Sequence, residues 1–307
     1  MADRARTRGA GNRDTRVGYI AVLGRTNVGK STFLNSMVGR KVLITSPKPQ
    51  TTRNRIRCVL TSEDAQIVFV DTPGLHQQQD PLSRRLLQEA RRSLRGIDVL
   101  VYIVEPWGDV TELDQRVFEE WKDLEIPRIL LVNKVDAAKR NQLEETLLAY
   151  AATDLFDELI PISALTREGI DDVHQTLLRY LRSGPFLFPP EEDTDQSEAF
   201  LIGELIREKV FRLTHQEVPY STAVRLKNFE ERDDGLIEIK AEIIVERESQ
   251  KGILIGKGGR MVKKLGSFAR QDIERLLGAQ VFLEIVIAVR PNWARNEEQI
   301  DQLTQRM

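Results

Sequence analysis

The chain has 307 residues, of which 41% are hydrophobic and 30% charged, and its 45 Lys and Arg against 47 Asp and Glu give a formal net charge of −2. No apolar run approaches the roughly 18 residues that a membrane-spanning helix needs, so the composition argues against an integral membrane protein and predicts a soluble chain of two domains. A single cysteine, Cys58, excludes an internal disulfide, and three scattered histidines offer no metal-ligand cluster, which fits a reducing cytosol.

The N-terminal part of the chain predicts a tail followed by an α/β domain. Residues 1–16 are basic without an apolar stretch, so we expect a flexible tail and not a secretory signal; an arm that touches RNA is the alternative. Over 17–182, apolar segments alternate with helical stretches, which predicts a mostly parallel sheet with helices on both faces. The apolar segments are GYIAVLG, CVLTSEDAQIVFVD, DVLVYIVE, RILLVNKVD and LIPISA.

GRTNVGKS at 24–31 follows the first predicted strand and precedes a helix, the context in which G-x-x-x-x-G-K-[ST] binds phosphates. Its glycines let the backbone curl so that successive N–H groups and the helix N-terminus face the phosphates. Lys30 is expected to reach the β- and γ-phosphates, and the Ser31 hydroxyl to bind Mg²⁺. The predicted phosphate-binding residues are Gly24, Arg25, Thr26, Asn27, Val28, Gly29, Lys30, Ser31 and Thr32.

DTPG at 71–74 ends the next strand and predicts a phosphate sensor. Asp71 would hold Mg²⁺ through a water, and the Gly74 N–H would meet the γ-phosphate, a contact that hydrolysis removes. Residues 72–85 are therefore predicted to change between ordered and disordered states. In the preceding polar stretch, SPKPQTTRNR, Thr52 is the candidate for the second hydroxyl on Mg²⁺, and Thr51 is the alternative. The predicted residues of this region are Asp71, Thr72, Pro73, Gly74 and Leu75, and the predicted magnesium ligands are Ser31, Thr52 and Asp71.

NKVD at 133–136 predicts guanine as the base. Asp136 can accept hydrogen bonds from guanine N1–H and the 2-amino group, a donor pair that adenine does not present. Asn133 is expected to support the other purine edge and hold neighbouring loops, and the Lys134 stem to lie along the ring. SAL follows a short strand and would place the Ala164 N–H at guanine O6. The predicted base-binding residues are Asn133, Lys134, Asp136, Ser163, Ala164 and Leu165.

A second unit follows a predicted linker. Residues 183–198 collect Pro, Gly and acids without periodicity, and 199–307 predict a small α+β domain with a three-stranded sheet and a C-terminal extension. Its glycine turn, GKGG at 256–259, lies in a stretch, 249–271, with six Lys or Arg and no acid. The turn has neither the spacing of the first loop nor a hydroxyl after its lysine, so it predicts a different kind of phosphate ligand.

The motifs GRTNVGKST, PQTTR, DTPGL, NKVD and SAL, in this order, make 17–182 resemble translation-factor-class GTPases. With the second unit, nearly all of the chain after residue 16 resembles the Era family of bacterial GTPases. The resemblance implies an α/β P-loop GTPase domain followed by an α+β type II KH domain. It further implies GTP and GDP as ligands, single-stranded RNA near the 3′ end of the small-subunit ribosomal RNA, and a role in assembling that subunit. A cytoplasmic monomer is expected, with peripheral contact at the inner face of the cell membrane as the alternative.

The KH resemblance implies that the glycine turn admits an RNA backbone and that basic side chains surround it with positive charge. Ile253, Ile255 and Val262 would line a groove for unstacked bases. Trp293 is expected either to stack on a base or to anchor the last helix. The predicted RNA-binding residues are Ile253, Ile255, Gly256, Lys257, Gly258, Gly259, Arg260, Lys263, Lys264, Arg290 and Trp293.

The chain departs from Ras-like GTPases at Leu75, where those proteins carry a glutamine that orients the attacking water, so slow intrinsic hydrolysis is expected. Asn27 resembles the asparagine that helps related GTPases to bind K⁺; a loop-capping asparagine is the alternative. His76 is expected to be a solvated loop residue, and no general base is assigned. The predicted catalytic residues are Lys30, Thr52, Gly74 and, for potassium, Asn27.

The sequence therefore predicts a GTP-hydrolysing switch that gates RNA binding by its second domain. An RNA-binding module with an idle nucleotide site is the first alternative, suggested by Leu75. A tRNA-modifying GTPase would need a separate chemistry domain, and NKVD disfavours a P-loop kinase.

Overall fold

The computed structural model describes residues 15–46, 48, 56–71, 96–121 and 124–293. Single 3₁₀ turns occur at Val135–Ala137 and Lys257–Gly259. The strands of the described part are β1 Arg16–Gly24, β2 Arg57–Thr61, β3 Ala65–Asp71, β4 Val99–Val104, β5 Arg128–Asn133, β6 Glu158–Ile162, β7 Arg182–Ser183, β8 Ala223–Glu231, β9 Ile237–Val245 and β10 Val281–Val289. Its helices are α1 Lys30–Val38, α2 Glu112–Trp121, α3 Arg140–Ala151, α4 Ile170–Tyr180, α5 Glu198–Leu213, α6 Glu248–Ile255 and α7 Arg260–Leu277.

The first domain is the predicted α/β unit. Its sheet has the strand order β2-β3-β1-β4-β5-β6. Strands β1, β3, β4, β5 and β6 run parallel to one another. Strand β2 is antiparallel to β3, and β7 is antiparallel to β1. Every residue of β4 is buried, as expected of a strand covered on both faces. The apolar segment at 58–71 forms a hairpin and not one strand, because the polar turn after Thr61 closes with a Ser62 N–H to Ala65 O hydrogen bond of 2.8 Å.

The parallel strands end at one edge of this sheet, and the described nucleotide motifs lie at strand ends there. GRTNVGKS follows β1, NKVD overlaps the end of β5, and SAL follows β6. Asp71 ends β3 beside Val22 of β1. Ligands of open α/β sheets bind at this edge, so the topology alone brings the motifs together.

The second domain has the predicted three-stranded sheet, in the order β10-β9-β8. β10 runs parallel to β9, and β8 runs antiparallel to it. Helices α5 and α7 cover one face, where Ile206, Leu265 and Ile243 are fully buried in a common core. The expected order of an α/β domain with a mostly parallel sheet and then a small α+β domain with a three-stranded sheet is thus confirmed.

The predicted linker is bonded to an edge strand. The backbone of 193–195 pairs with β2, with Val59 N–H donating to Asp193 O at 2.8 Å, and the buried Gln66 side chain binds the backbone at Leu187 (2.7 Å). This pairing covers the unpaired backbone of an edge strand. Arg16, which the sequence places in the tail, begins β1 because its backbone pairs with Ala65 and with β7.

A buried ion cluster joins the two domains. Glu208 of α5 is fully buried, and its carboxylate accepts hydrogen bonds from Lys41 Nζ (2.6 Å) and Lys209 Nζ (2.8 Å). Asp272 of α7 accepts from the same two ammonium groups, at 2.9 Å from Lys41. Because Lys41 belongs to the loop after α1, its ammonium group links the first domain to two helices of the second. A buried carboxylate is tolerated only with such partners.

The same loop is bonded to α5 at further points. The Thr45 N–H donates to Glu208 Oε1 at 3.0 Å, and Arg212 donates to Thr45 O at 3.2 Å. Lys48 Nζ contacts two backbone carbonyls at the C-terminal end of α5, where a helix attracts cations. The loop is therefore attached to the second domain directly before residues 49–55.

The ion cluster should make stability depend on pH in the acid range. Burial alone raises the pKa of Glu208, but the hydrogen bonds from Lys209 and Lys41 outweigh it and hold the pKa below its usual value, and the same holds for Asp272. Such a carboxylate stabilises the fold above its unfolded pKa, and the contribution is lost as pH falls through the folded pKa. We expect the free energy of unfolding to fall below about pH 4.5.

Glu208→Gln should lower the free energy of unfolding at neutral pH by about 3 kcal/mol, because it leaves two lysines beside a neutral amide. It should also flatten the acid-side fall, as measured by urea unfolding at each pH. Glu112 of α2 is exposed, so Glu112→Gln is the control and should leave the profile unchanged. An acid-side slope in Glu208→Gln equal to that of the parent chain would contradict this account.

Within the described residues, no helix is both long enough and apolar enough to cross a membrane.

Candidate functional site

Two glycines of the first phosphate turn are required by close packing. A Cβ on Gly24, whose φ is +147°, would lie 2.4 Å from the Ile103 carbonyl oxygen. A Cβ on Gly29, whose φ is +102°, would lie 2.3 Å from Asn133 Nδ2. Any larger residue would push the turn away from β4 or from the base-recognition loop.

Lys30 lies across this turn. It begins α1 and is only 8% exposed, and its Nζ donates to the carbonyl oxygens of Gly24 (3.0 Å) and Arg25 (2.8 Å). The ammonium group is thus held above the loop, where phosphate oxygens would share or replace these acceptors. Ser31 follows in the first turn of α1, the position from which its hydroxyl would face a magnesium ion.

Asn133 joins the loops of the site. It is 2% exposed, its Nδ2 donates to Val28 O at 2.8 Å, and its Oδ1 accepts from the Ala164 N–H at 2.9 Å. The side chain therefore ties the phosphate turn to the loop after β6, in line with the loop-holding role that its motif predicts. Because the Ala164 N–H already has an acceptor, guanine O6 would share this donor.

Asp136 is held in place from the same loop. Its Oδ1 accepts a hydrogen bond from Ser163 Oγ at 2.6 Å, and that hydroxyl in turn accepts from the Thr166 N–H at 3.1 Å. In the described part of the chain no residue binds Asp136 Oδ2. A carboxylate held by one oxygen in this way can present its other oxygen to the two donors on guanine. Leu165 is 77% exposed, so its side chain does not pack in the core of this domain.

Lys134 connects the base loop to the phosphate turn. Its Nζ donates to the Asn27 carbonyl oxygen at 2.8 Å, forms an ion pair with Glu105, and lies 5.7 Å from the ring centre of Trp107. The sequence did not reveal Glu105 and Trp107, since the segment after β4 matches no motif. Their position directly after a buried parallel strand is the signal that could have placed them at this edge.

The predicted switch residues lie outside the described residues. These are Thr51, Thr52, Thr72, Pro73, Gly74, Leu75 and His76. Of Asp71 the backbone is described, at the end of β3. The magnesium site and the water-positioning groups therefore stay predictions.

The second glycine turn joins α6 to α7. Gly256, Gly258 and Gly259 all have positive φ, and α7 begins at Arg260 without a side-chain cap. The dipole of this helix favours an anion at its N-terminus. Among the predicted ligands, Lys257, Arg260, Lys263 and Lys264 are exposed beside the turn.

Apolar side chains lie next to this basic turn. Ile253 is 47% and Ile255 36% exposed on α6, while Leu254 between them is fully buried in the core. Val262 of α7 is half-buried. The turn therefore combines positive charge with an exposed apolar strip, as a groove for unstacked bases requires.

Two predicted RNA ligands do not belong to this turn. Trp293 is 2% exposed, packs on Ala223 and Ile244, and donates from Nε1 to Ser221 O at 3.1 Å, so its ring is not available to stack on a base. The alternative, an anchor for the last helix, concerns residues outside the described ones and stays a prediction. Arg290 lies on the sheet face opposite α7. There it forms an ion pair with Glu242, which also pairs with Arg225 and Lys227. The sheet separates Arg290 from the glycine turn.

Comparisons with known proteins give one family. A model described as 50S ribosome-binding GTPase matches residues 19–134, and a KH domain model matches residues 217–294. GTPase Era of Geobacter metallireducens is 45% identical over 94% of this chain and 97% of its own length. GTPase Era of Caldanaerobacter subterraneus is 41% identical over 94% and 97%, respectively.

Solved structures agree over both domains. An Aquifex aeolicus Era variant bound to GDP and AlF4⁻ matches with a TM-score of 0.88 and 36% identity, over 95% of this chain and 100% of that one. Era in complex with MgGDPNP and nucleotides 1506–1542 of 16S ribosomal RNA matches with a TM-score of 0.87 at the same identity and coverage. With its nucleotide loops, its KH turn and relatives similar from end to end, the chain belongs to the GTPase Era family.

Proposed function

We propose that this protein is a GTP-hydrolysing switch that binds single-stranded RNA near the 3′ end of the small-subunit ribosomal RNA and assists assembly of that subunit. The observation that carries the switching part of the proposal is the ion cluster of Lys41, Glu208 and Asp272, which links the nucleotide domain to the helix that follows the RNA turn. Two ligand sites on separate domains can then influence one another.

Guanine nucleotide is the ligand of the first site. The carboxylate of Asp136, held by Ser163, selects guanine, and the turn from Gly24 to Ser31 surrounds the phosphates with N–H groups. Lys30 neutralises charge that builds up on the transferred phosphoryl group, and the arrangement needs positioning more than a general base. Ser31, Thr52 and Asp71 would hold Mg²⁺, which supplies charge neutralisation when bound.

RNA is the ligand of the second site. One of the two related Era structures is a complex with a fragment of 16S ribosomal RNA, which belongs to the small subunit. The description of the matching GTPase model names the 50S subunit instead. The solved complex supports the small subunit more strongly, because that protein is similar to this chain over both domains, whereas the 50S description belongs to a model of the GTPase domain alone.

Coupling between the sites would run through the loop between α1 and residue 48. This loop is bonded to α5 and α7 and leads directly into 49–55, which carries the predicted magnesium ligand Thr52. If residues 49–55 are held differently with GTP than with GDP, the two nucleotides favour the contacts of Lys41 with Glu208 and Asp272 to different extents. A nucleotide shifts an equilibrium only by such a difference.

Multiple-turnover phosphate release tests the enzymatic half of the proposal. With GTP in excess we expect many phosphates per chain, at a slow rate, and none with ATP. Lys30→Met is the control and should reduce release by at least about tenfold, because it removes a charge that the transition state requires. Phosphate release no faster than that of Lys30→Met would support the idle-site alternative.

Potassium belongs to the proposal as a second cation. Asn27 has a φ of +65° and lies in the phosphate turn, where its carbonyl binds Lys134. We expect faster GTP hydrolysis in KCl than in NaCl at equal ionic strength, because K⁺ would neutralise charge between the phosphates. Equal rates in the two salts would exclude this role.

A cytoplasmic location follows from ribosomal RNA as the proposed ligand, and a monomeric state belongs to the same proposal.

A further inference from the structure

We infer that Asp114 is a positioning residue of the nucleotide site and acts through Arg25. Asp114 lies in the first turn of α2, outside every nucleotide motif, and its side chain is fully buried. The inference deepens the proposed function, since it concerns the turn that holds the phosphates.

The Asp114 carboxylate is surrounded by donors. It accepts hydrogen bonds from the Thr111 N–H (2.9 Å), the Thr111 hydroxyl (2.7 Å), the Tyr150 hydroxyl (3.0 Å) and the Tyr102 hydroxyl. Burial and the nearby Asp114 raise the pKa of both tyrosines, so both keep their protons and remain donors. These four donors supply the hydrogen bonds that a fully buried carboxylate requires.

Arg25 is the one cation beside this carboxylate in the described part of the chain. Its Nε lies 3.8 Å from Asp114 Oδ1 and is buried without a hydrogen-bond partner among the described residues. The guanidinium also lies against Gly108, since a Cβ there would be 3.3 Å from Arg25 Nη2. Arg25 is the second residue of the phosphate turn, but its side chain points into the protein, towards Asp114.

The ion pair acts on the turn through the Arg25 backbone. The Arg25 carbonyl oxygen is one of the two acceptors that hold Lys30 Nζ, at 2.8 Å. Fixing the Arg25 side chain against Asp114 therefore fixes the acceptor that orients the phosphate-binding lysine. The sequence predicted Arg25 as a GTP-binding residue only because it lies within the phosphate-binding motif. Its side chain instead anchors the phosphate turn to Asp114.

This geometry argues against a direct role of the Arg25 side chain on the phosphates. Turning outwards would leave a fully buried carboxylate without its cation, which is costly. Asp114 and Arg25 thus depend on one another, and a double-mutant cycle measures that dependence.

The test is the affinity for GDP and for a non-hydrolysable GTP analogue, so its outcome does not depend on whether the protein turns GTP over. Asp114→Asn should weaken both affinities by about tenfold, and Arg25→Met should do the same. In the Arg25→Met background, Asp114→Asn should change them by less than about twofold, because the partner is already gone. Arg25→Lys should lose less affinity than Arg25→Met.

Tyr150→Phe is the matched control. It removes another donor from the same carboxylate but leaves Arg25 in place, so it should lower the melting temperature and change nucleotide affinity by less than about twofold. The inference is overturned if Asp114→Asn has the same effect in both backgrounds, or if Tyr150→Phe weakens binding as much. Should Asp114→Asn fail to fold, equal affinities for Arg25→Met and Arg25→Lys would overturn it as well.

Discussion

Replacing Asp136 with asparagine is expected to change the preferred base from guanine to xanthine. The carboxylate accepts from two guanine donors, and the amide of asparagine would offer a donor to the 2-oxo group of xanthine instead. Loss of hydrogen bonds to a charged group costs about 3 kcal/mol, so GTP affinity should fall by about 100-fold while XTP affinity rises. Competition of GTP, XTP and ATP against a labelled nucleotide measures both changes.

Ser163→Ala is the control for this variant. It removes the hydrogen bond that holds Asp136 Oδ1 but leaves the carboxylate charged, so GTP affinity should fall by a smaller factor and XTP should gain nothing. If Asp136→Asn weakened GTP without improving XTP, the loop from 133 to 136 would not recognise the base, and the assignment of guanine would fail.

Gly258→Asp should abolish RNA binding and leave GTP binding unchanged. Gly258 has a φ of +61°, a left-handed conformation that aspartate and asparagine tolerate better than other residues, and a Cβ there would meet no atom within 4 Å. The variant should therefore fold, while its negative charge repels an RNA backbone at the turn. We expect RNA affinity to fall by at least about tenfold, and GTP affinity to stay within about twofold.

Gly258→Asn separates charge from size. Asparagine has nearly the shape of aspartate and the same tolerance of positive φ, but no charge, so it should lose much less RNA affinity. Raising the salt should reduce the difference between the two variants, because salt screens the repulsion. Equal losses in both variants would mean that bulk at residue 258, and not charge, disturbs the turn.

Sequence motifs were most informative where the structure of a short segment depends on that segment's own residues. The turn from Gly24 to Ser31 needs glycines because β4 and Asn133 approach its backbone, and these requirements appear in the spacing of the residues. The order of the strands and the edge at which they end then place NKVD and SAL beside it. The family resemblance, carried by these motifs together with GKGG, is confirmed.

Long-range packing accounts for what the sequence did not reveal. In IREKVFRL, Glu208 looks like an ordinary solvated helix residue, and only the position of Lys41 of the other domain makes it part of a buried cluster. Asp114 is equally ordinary in TELDQR until two tyrosines and an arginine from other elements surround it. The sequence left open whether Trp293 stacks on a base, and only its burial against β8 and β9 argues against stacking.

The ion cluster gives the switch a physical basis that can be perturbed without touching either ligand. Glu208 contacts neither the nucleotide loops nor the glycine turn in the described structure, yet it binds residues on both sides of the domain boundary. A change that uncouples the domains should therefore leave each binding site intact.

The most direct test of the account is the affinity for a single-stranded RNA oligonucleotide, from the 3′ end of the small-subunit RNA, with GTP analogue, with GDP and without nucleotide, at one salt concentration. We predict that the GTP-analogue and GDP affinities differ by at least about fivefold, and that Glu208→Gln reduces the difference. Equal RNA affinities in all three nucleotide states of the parent chain would contradict the coupling of the two sites.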